Sequence, residues 1–286
     1  MRSTRNLSQI QAKIQQRKTR IEQFEREGRF NEDIEDDLPA KELLPQHVDY
    51  LAKKFSTRLK IRMANFLGDR YFLGLIKKEK LIIERMVGEE YLSALEKGAI
   101  LTCNHFSVCD HYIVFHCIRK FLPRTYLYKV IKEGNYTNFP GLFGFLMRYC
   151  NTLPLSRNRR TMMNFTSAVN TLLKRGETVL VYPEQSMWQG YRKPRPFQIG
   201  AFKMAYRANV PVVPTLITMQ DDESKTDENG EKLQRHTLHI LPPIYPDLTL
   251  GEKTGAEKMK EEAYRLCKAC YEEVYRTPLV FSTEEK

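Results

Sequence analysis

A histidine and an aspartate lie five positions apart in the chain, at His105 and Asp110, within the stretch Asn-His-Phe-Ser-Val-Cys-Asp. In such a pair the carboxylate can keep one imidazole nitrogen protonated, which leaves the other nitrogen free to accept a proton from a hydroxyl group. The carboxylate also stabilises the imidazolium ion that forms. His105 and Asp110 are therefore candidates for a general base and the residue that orients it.

The hydroxyl that this base activates is expected to belong to a substrate. No G-x-S-x-G pattern occurs in the sequence, and Cys103 and Cys109 lie in apolar surroundings that are typical of inert thiols. The sequence therefore favours direct transfer to an acceptor alcohol over a covalent enzyme intermediate. A His and an Asp at this spacing also occur by chance in many proteins, so the surrounding sequence must decide.

Zinc binding is the alternative interpretation of the same stretch. Its zinc-binding residue types are Cys103, His105, Cys109, Asp110 and His111. A structural zinc site needs ligands paired at C-x2-C or H-x3-5-H spacing together with a second, distant pair, and the chain does not provide them. We therefore predict no metal site, and we expect His111 and His116 to be ordinary helix residues.

The elements around the pair predict how it is positioned. Residues 99–103 form a β-rich run that leads into His105, and the apolar run that starts at His111 predicts a helix. His105 is then expected at the carboxyl end of a strand, where open α/β sheets bind ligands. Asp110 starts the following helix, whose dipole favours an anion at that end.

Short β-rich runs alternate with helical patterns from residue 99 onward. The predicted strands cover residues 99–103, 125–130, 152–155, 178–182, 211–217 and 235–241. The predicted helices cover residues 108–121, 160–175, 200–208 and 252–275, and residues 220–234 are expected to form a polar tip. Continuous apolar strands separated by helices are typical of a buried, mainly parallel sheet. The sequence thus predicts an α/β fold with a mainly parallel central sheet covered by helices.

An N-terminal helical region is expected to precede this domain, which we assign to residues 98–286. Residues 1–40 predict an exposed, polar helical arm that ends in an acidic linker, and residues 41–97 are expected to be helical. In residues 55–80 the apolar side chains Leu59, Met63, Phe66 and Leu67 share one helical face, and the other side is basic. Such a helix can lie at an anionic membrane surface or pack its apolar face on a core.

The charge and composition limit the possible partners. The 286 residues contain 46 Lys and Arg against 35 Asp and Glu, a net charge of +11, which suits an anionic substrate, nucleic acid or an anionic membrane. A single tryptophan, Trp188, and the absence of a recognisable binding motif argue against nucleic acid. Six thinly spread cysteines, no signal-peptide pattern after Met1 and no spanning apolar run favour a cytoplasmic protein.

The His-x4-Asp pattern at His105 resembles that of the glycerolipid acyltransferases, a family that includes the lysophosphatidate acyltransferases. Three further blocks of that family follow in order, over roughly residues 85–220. They resemble the apolar stretch that ends in Arg157, the sequence Tyr182-Pro-Glu-Gln-Ser-Met187, and the proline-containing run 210–214. The third block of the family usually reads Phe-Pro-Glu-Gly-Thr-Arg, so Met187 stands where the family has an arginine.

The resemblance implies transfer of a fatty-acyl group from an acyl thioester to the free hydroxyl of a lysophospholipid, with 1-acylglycerol 3-phosphate as the first candidate. His105 would be the general base and Asp110 its orienter, and backbone N–H groups near the strand end would stabilise the oxyanion. Neither a metal nor a redox cofactor is implied. Coenzyme A or acyl carrier protein would carry the thioester, and the enzyme would be peripherally associated with an anionic membrane.

The acceptor site is expected to involve cations. Between residues 119 and 160 the chain has a single acid, Glu133, and nine cations: Arg119, Lys120, Arg124, Lys129, Lys132, Arg148, Arg157, Arg159 and Arg160. Arginine suits bidentate phosphate binding, so Arg157 and Arg192 are preferred to the lysines, with Lys193 and Arg195 as alternatives.

The complete predicted substrate-binding set is Arg157, Glu184, Gln185, Ser186 and Arg192. A loop salt bridge for Arg157 and a structural role at the strand end for Glu184 stay open. Because the third block is altered, a catalytically inactive membrane-surface scaffold also stays open.

Overall fold

The computed structural model describes residues 2–123, 126–227 and 229–283, with side chains from residue 9 onward. The helices are α1 (Arg2–Arg26), α2 (Phe55–Lys77), α3 (Asp110–Ile118), α4 (Glu133–Thr137), α5 (Gly141–Tyr149), α6 (Arg159–Lys174), α7 (Gly200–Ala208) and α8 (Glu252–Tyr275). The strands are β1 (Ile82–Val87), β2 (Ala99–Thr102), β3 (Leu127–Ile131), β4 (Thr152–Pro154), β5 (Thr178–Val181), β6 (Val212–Thr226) and β7 (Lys232–Ile240). Arg124 and Thr125, which the sequence assigned to the cations and to the second strand, lie outside the described residues.

One sheet contains the seven strands in the order β1-β7-β6-β2-β5-β3-β4. Every neighbouring pair is parallel except β6 and β7, which are antiparallel. The predicted α/β fold with a mainly parallel sheet is confirmed. Strands β2 and β5 are buried along their whole length, as expected where helices cover both faces of a sheet.

The alternation of side chains along β2 divides the core into two layers. Ile100 points into a cluster that α6, α7 and α8 cover, whereas Leu101 points into a cluster that α3 and the end of α2 cover. Ile113 of α3 and Phe165 of α6 anchor the two layers. His105 follows β2, so both layers support the strand that positions it.

Two predictions for segments toward the β1 edge of the sheet were wrong. Residues 82–87 were expected to be helical but form β1, which pairs with β7. The expected polar tip at residues 220–234 is largely the continuation of β6 and β7, which stay paired as far as Thr226 and Lys232. The reason is that an antiparallel ladder is held by its backbone, so it can extend beyond the core with polar side chains on both sides.

The expectation of an exposed N-terminal arm was wrong for its second half. Helix α1 forms, but Ile21 and Phe24 are buried, and they cluster with Ile34 and Trp188. The sequence pattern showed a thin apolar stripe without showing what would cover it. The division of the chain near residue 40 stays a prediction.

The site predicted from the sequence lies at the carboxyl edge of the parallel strands. His105 follows β2, Glu184 follows β5 and Arg157 follows β4. Neighbouring strands are about 4.8 Å apart, so β4 lies about 14 Å from β2, three strands away. The edge thus brings His105 and Glu184 to adjacent strands and leaves Arg157 at its far end.

Candidate active site

His105 and Asp110 are in direct contact. Nδ1 of His105 lies 2.7 Å from Oδ2 of Asp110, which is the first residue of α3. The backbone N–H groups of Phe106 and Ser107 donate to the same oxygen at 3.3 and 3.4 Å. The hydroxyl of Tyr182 donates to the other oxygen, Oδ1, at 2.6 Å. Each oxygen of this buried carboxylate therefore has a donor.

The environment of Asp110 favours its charged form. Burial alone would raise the pKa of this carboxyl, but its interaction with His105 and the hydrogen bond from Tyr182 outweigh burial and lower the pKa. The ionised carboxylate can then hold Nδ1 of His105 protonated. Among the described residues no hydrogen-bond partner contacts Nε2 of His105, and 22% of this side chain is exposed. Nε2 is therefore available as a base.

Tyr182 is a residue of this site that the sequence did not single out. Its ring stacks on the imidazole of His105, with centroids 4.0 Å apart and planes 16° apart. Burial, and after it the charge of Asp110, raise the pKa of Tyr182 well above its ordinary value, so the phenol stays a donor. The signal was its position immediately after β5, in the third block.

Asn104 fixes the backbone one residue before the base. Its side-chain amide donates to the carbonyl of Ile217 at 3.0 Å, and its Oδ1 accepts from the N–H of Ile217 at 2.8 Å. The buried amide thus extends the pairing of β2 with β6 by one step beyond the backbone ladder. The sequence offered no signal for this partner, which lies 113 positions away.

Glu184 lies inside the protein, next to the backbone of the base. Its Oε2 accepts from the N–H of His105 at 3.1 Å and from Nη2 of Arg195 at 2.8 Å. The exposed fraction of the side chain is 2% for Glu184 and 0% for Arg195. Glu184 therefore has the structural role at the strand end that was left open, and substrate contact by this residue stays a prediction.

Ser186 contacts the same buried ion pair. It is fully buried, and its Oγ accepts from Nη1 of Arg195 at 2.8 Å. Arg195 was an alternative phosphate ligand, but its guanidinium is enclosed by Glu184 and Ser186. Burial lowers the pKa of Arg195, and the charge of Glu184 opposes that effect. Both side chains are fully buried, and substrate binding by Ser186 and Arg195 stays a prediction.

The other predicted ligands are exposed, and two of them have acidic partners. Arg192 forms a 2.6 Å ion pair with Asp221 of β6. Arg157 donates from Nε to Glu133 at 3.1 Å, which is the loop salt bridge left open, and its side chain is 71% exposed. Gln185 is exposed at a turn with φ 67°. Substrate binding by these three residues stays a prediction.

The backbone N–H groups just after β2 already have acceptors. The N–H of His105 donates to Glu184, and those of Phe106 and Ser107 donate to Asp110. They are therefore not free to act as the predicted oxyanion donors. The nearby thiols are not activated either, because burial raises the pKa of Cys103 well above its ordinary value and also raises that of Cys109.

Two comparisons agree with this arrangement. Residues 84–218 match the sequence profile of the family described as Acyltransferase. A 1-acyl-sn-glycerol-3-phosphate acyltransferase from Saccharomyces cerevisiae is 24% identical over 212 residues, which are 71% of this chain and 66% of that protein. Residues 84–218 are therefore similar in sequence to the acyltransferase family.

Further relatives of the acyltransferase domain have the same name. The 1-acyl-sn-glycerol-3-phosphate acyltransferase of Escherichia coli is 32% identical over 106 residues, 36% of this chain and 41% of that protein. The chain thus spans slightly less than two thirds of the yeast relative and about two fifths of the bacterial one. The crystal structure of the 1-acyl-sn-glycerophosphate (LPA) acyltransferase PlsC from Thermotoga maritima has the same fold, with 20% identity, a TM-score of 0.50, and coverage of 80% of this chain and 86% of that one.

A lysine inside the acyltransferase domain lies close to the start of α3. Lys129 alternates with Tyr128 and Val130 along β3, so it points to the face that α3 covers. Burial lowers the pKa of Lys129, and in the described part of the chain no carboxylate forms an ion pair with it. Burial, with the charge of Lys129 after it, lowers the pKa of His111 to about 4. His111 is therefore neutral near pH 7.

Helix α2 presents its apolar side outward. Leu59, Met63 and Phe66 are exposed, whereas the residues it buries are the small Ala64 and Gly68. The alternative in which the apolar face packs on the core is therefore wrong. In the loop between His105 and Asp110, Val108 is 63% exposed.

Helix α5, which packs against α2, also exposes large apolar side chains, Leu142 and Phe143. We call this set the apolar rim: Leu59, Met63, Phe66, Val108, Leu142 and Phe143. Of the helices described, none has the length and apolar character needed to cross a bilayer.

Proposed function

We propose that the protein transfers a fatty-acyl group from an acyl thioester to the free hydroxyl of a lysophospholipid, with 1-acylglycerol 3-phosphate as the first acceptor. The observation that carries this proposal is the 2.7 Å contact between His105 and Asp110, which orients the ring and leaves Nε2 accessible. The names of the yeast and E. coli relatives support the choice of acceptor.

The reaction follows from this geometry. Nε2 of His105 takes the proton of the acceptor hydroxyl as the oxygen attacks the thioester carbonyl, and Asp110 stabilises the imidazolium that forms. When the tetrahedral intermediate collapses, the carbon–sulfur bond breaks and the imidazolium returns its proton to the leaving thiolate. The new ester and a free thiol are the products.

We assign the acceptor phosphate to Lys129 first, with Arg157 and Arg192 as the further candidates. Lys129 shares the α3 side of the sheet with Tyr182, whose ring stacks on the base. Arg157 and Arg192 already form ion pairs with Glu133 and Asp221. A phosphate would therefore gain an unpaired cation at Lys129, whereas it would compete with a carboxylate at either arginine.

The apolar rim supports catalysis at a membrane surface. Its side chains are exposed next to the cations Arg58, Lys60 and Arg62 of α2, a combination that suits insertion into an anionic bilayer surface. Both proposed substrates have fatty-acyl chains. A position at the bilayer surface would let these chains reach the site without crossing water.

The test is to offer the purified protein a panel of lysophospholipids with acyl-CoA and with acyl carrier protein donors in vesicles, and to identify products by mass spectrometry. We expect one acyl chain to be added to the acceptor hydroxyl, and the donor that supports turnover identifies the carrier. His105→Ala is the control and should be folded and inactive. A folded wild-type protein without product in any combination would instead support the inactive scaffold.

A further inference from the structure

The loop at residues 184–195, which we call the third-block loop, forms hydrogen bonds with the backbone of His105 and Phe106. Glu184 accepts from the N–H of His105, and the N–H of Trp188 donates to the carbonyl of His105 at 3.0 Å. The N–H of Gly190 donates to the carbonyl of Phe106 at 2.9 Å. The position of His105 therefore depends on the conformation of this loop.

The N-terminal segment, residues 21–34, covers the inner side of the third-block loop. The carbonyl of Phe30 accepts from Nη1 of Arg195 at 2.7 Å. The indole N–H of Trp188 donates to the carbonyl of Glu32 at 3.0 Å. The rings of Phe30 and Phe24 pack on Trp188 with centroids 6.0 and 6.4 Å away. This contact supplies both an apolar cover and acceptors for buried donors.

Glu25 links the N-terminal segment to the third-block loop through hydrogen bonds. Its carboxylate accepts from the hydroxyl of Tyr191 at 2.7 Å and from Nζ of Lys193 at 2.7 Å, and it is itself almost fully buried. A third donor is the backbone N–H of Ser282, at 2.9 Å. Three donors on one buried carboxylate indicate a built contact between the N-terminal segment and the loop, because an unpaired buried charge would be strongly destabilising.

We propose that the N-terminal segment is a positioning element of the active site, which acts on His105 through Arg195, Glu184 and Trp188. The proposal rests on the acyl transfer proposed above. The guanidinium of Arg195 is fully buried, and without the Phe30 carbonyl one of its N–H donors loses an acceptor. The loop would then shift, and a displacement of the base by about 1 Å lowers turnover about 100-fold.

The test uses the full chain with Phe24→Ala and Phe30→Ala combined, which removes the two rings on Trp188. We expect kcat to fall about 10- to 100-fold, with KM for both substrates nearly unchanged. The conservative variant Phe24→Leu with Phe30→Tyr refills most of the apolar volume against Trp188 and should recover most of the turnover.

A matched control separates positioning from lost stability. Phe165→Ala removes a buried ring from a different cluster, the core layer under α6, where it packs on Tyr50 with centroids 6.0 Å apart. Below its unfolding temperature this variant should keep the wild-type kcat. Wild-type values for the Phe24/Phe30 double variant, or an equal loss of kcat in the control, would overturn the proposal.

A readout without turnover keeps the two proposals separate. The position of His105 can be followed by NMR of its imidazole signals, which are assigned from their absence in His105→Gln. We expect the chemical shifts of the His105 imidazole to change in the Phe24/Phe30 double variant and to stay in place in Phe165→Ala. An inactive wild type would reject acyl transfer, whereas unchanged His105 chemical shifts in the double variant would reject the positioning role.

Discussion

The catalytic loop at residues 105–110 and the third-block loop follow neighbouring strands, yet they use their charged groups in opposite ways. The catalytic loop buries its acid and leaves one nitrogen of His105 accessible. In the third-block loop, Glu184 and Arg195 form an ion pair with both partners buried. A charged residue in a functional motif can thus fix the backbone of a neighbouring loop instead of contacting substrate. The position of the residue in the motif does not show which of the two roles it has.

The largest effect should come from the carboxylate of the catalytic loop. Asp110→Asn should lower kcat about 10³- to 10⁴-fold, because the amide no longer stabilises the imidazolium or selects the tautomer. Tyr182→Phe keeps the stacked ring and removes only the donor to Oδ1, so it should fall between the wild type and this variant. Steady-state kinetics of the three proteins checks the order; equal rates for Asp110→Asn and the wild type would end the pairing hypothesis.

The same substitution has a consequence for stability against pH. The pKa of Asp110 is lower in the folded protein, so its contribution is complete above the unfolded value of about 3.9 and is lost as pH falls through the folded value. Asp110→Asn should therefore remove part of the acid sensitivity of the free energy of unfolding. Urea titrations of both proteins between neutral and acid pH measure this difference.

Substitutions of charged residues in the third-block loop should mainly lower the free energy of unfolding. Arg195→Met leaves the Glu184 carboxylate buried and unpaired, so it should lower the free energy of unfolding by about 3–5 kcal/mol. Arg192→Met breaks the partly exposed pair with Asp221, where we expect about 1 kcal/mol or less. Urea denaturation gives both values. Similar losses at the two arginines would contradict the contrast between an internal and a surface charge.

Glu184→Gln combined with Arg195→Met sharpens the same test. Removing both charges of a buried pair avoids the unpaired carboxylate, so the double variant should be more stable than Arg195→Met alone. Its kcat should stay low, because the backbone of His105 loses a charged acceptor. A double variant that is no more stable than the single one would show that the ion pair is not what Glu184 contributes.

Vesicle binding tests whether the basic side chains of α2 contact an anionic membrane surface. Replacing Arg58, Lys60 and Arg62 with Glu should weaken binding to anionic vesicles about 100-fold at low salt, because each cation near such a surface contributes about 1 kcal/mol. The matched control replaces Lys174, Lys253 and Lys258, which lie on helices that cover the other sheet face. Vesicle sedimentation measures both; unchanged binding of the α2 variant would reject this surface.

The smallest of these effects is expected at the acceptor phosphate. Lys129→Met should raise KM for 1-acylglycerol 3-phosphate about tenfold, since a hydrogen bond to a charged group contributes about 1.5 kcal/mol or more. The control, Arg157→Met, should change KM less because Glu133 already pairs with that arginine. Steady-state kinetics with a varied acceptor decides. A larger increase in KM for Arg157→Met would instead assign the acceptor phosphate to Arg157, at the far end of the sheet edge.

Local patterns predicted the parts of the structure that depend on neighbours in sequence. The observed bounds of α7 and α8 are those predicted, since both helices have a clear apolar period. The contact of His105 with Asp110 spans five positions and was also predicted. Strand β1 was missed because its partner β7 lies about 150 positions later, and a short run does not show its pairing partner.

The parts of the site that sequence could not predict are its long-range contacts. The hydrogen bond from Arg195 to Phe30 joins residues 165 positions apart, and nothing in the third block indicates it. For α2, the pattern correctly grouped Leu59, Met63 and Phe66 on one face. It did not show which face would be covered, because that depends on the small residues Ala64 and Gly68.

The hydrogen bond between Glu25 and Ser282 joins positions separated by 257 residues. At a synthesis rate of about 5–20 residues per second, Ser282 is made roughly 10 to 50 seconds after Glu25. We therefore expect the His105–Asp110 contact to form on the ribosome well before the contact between the N-terminal segment and the third-block loop is complete. A newly made chain should acquire its fold first and its full catalytic rate last.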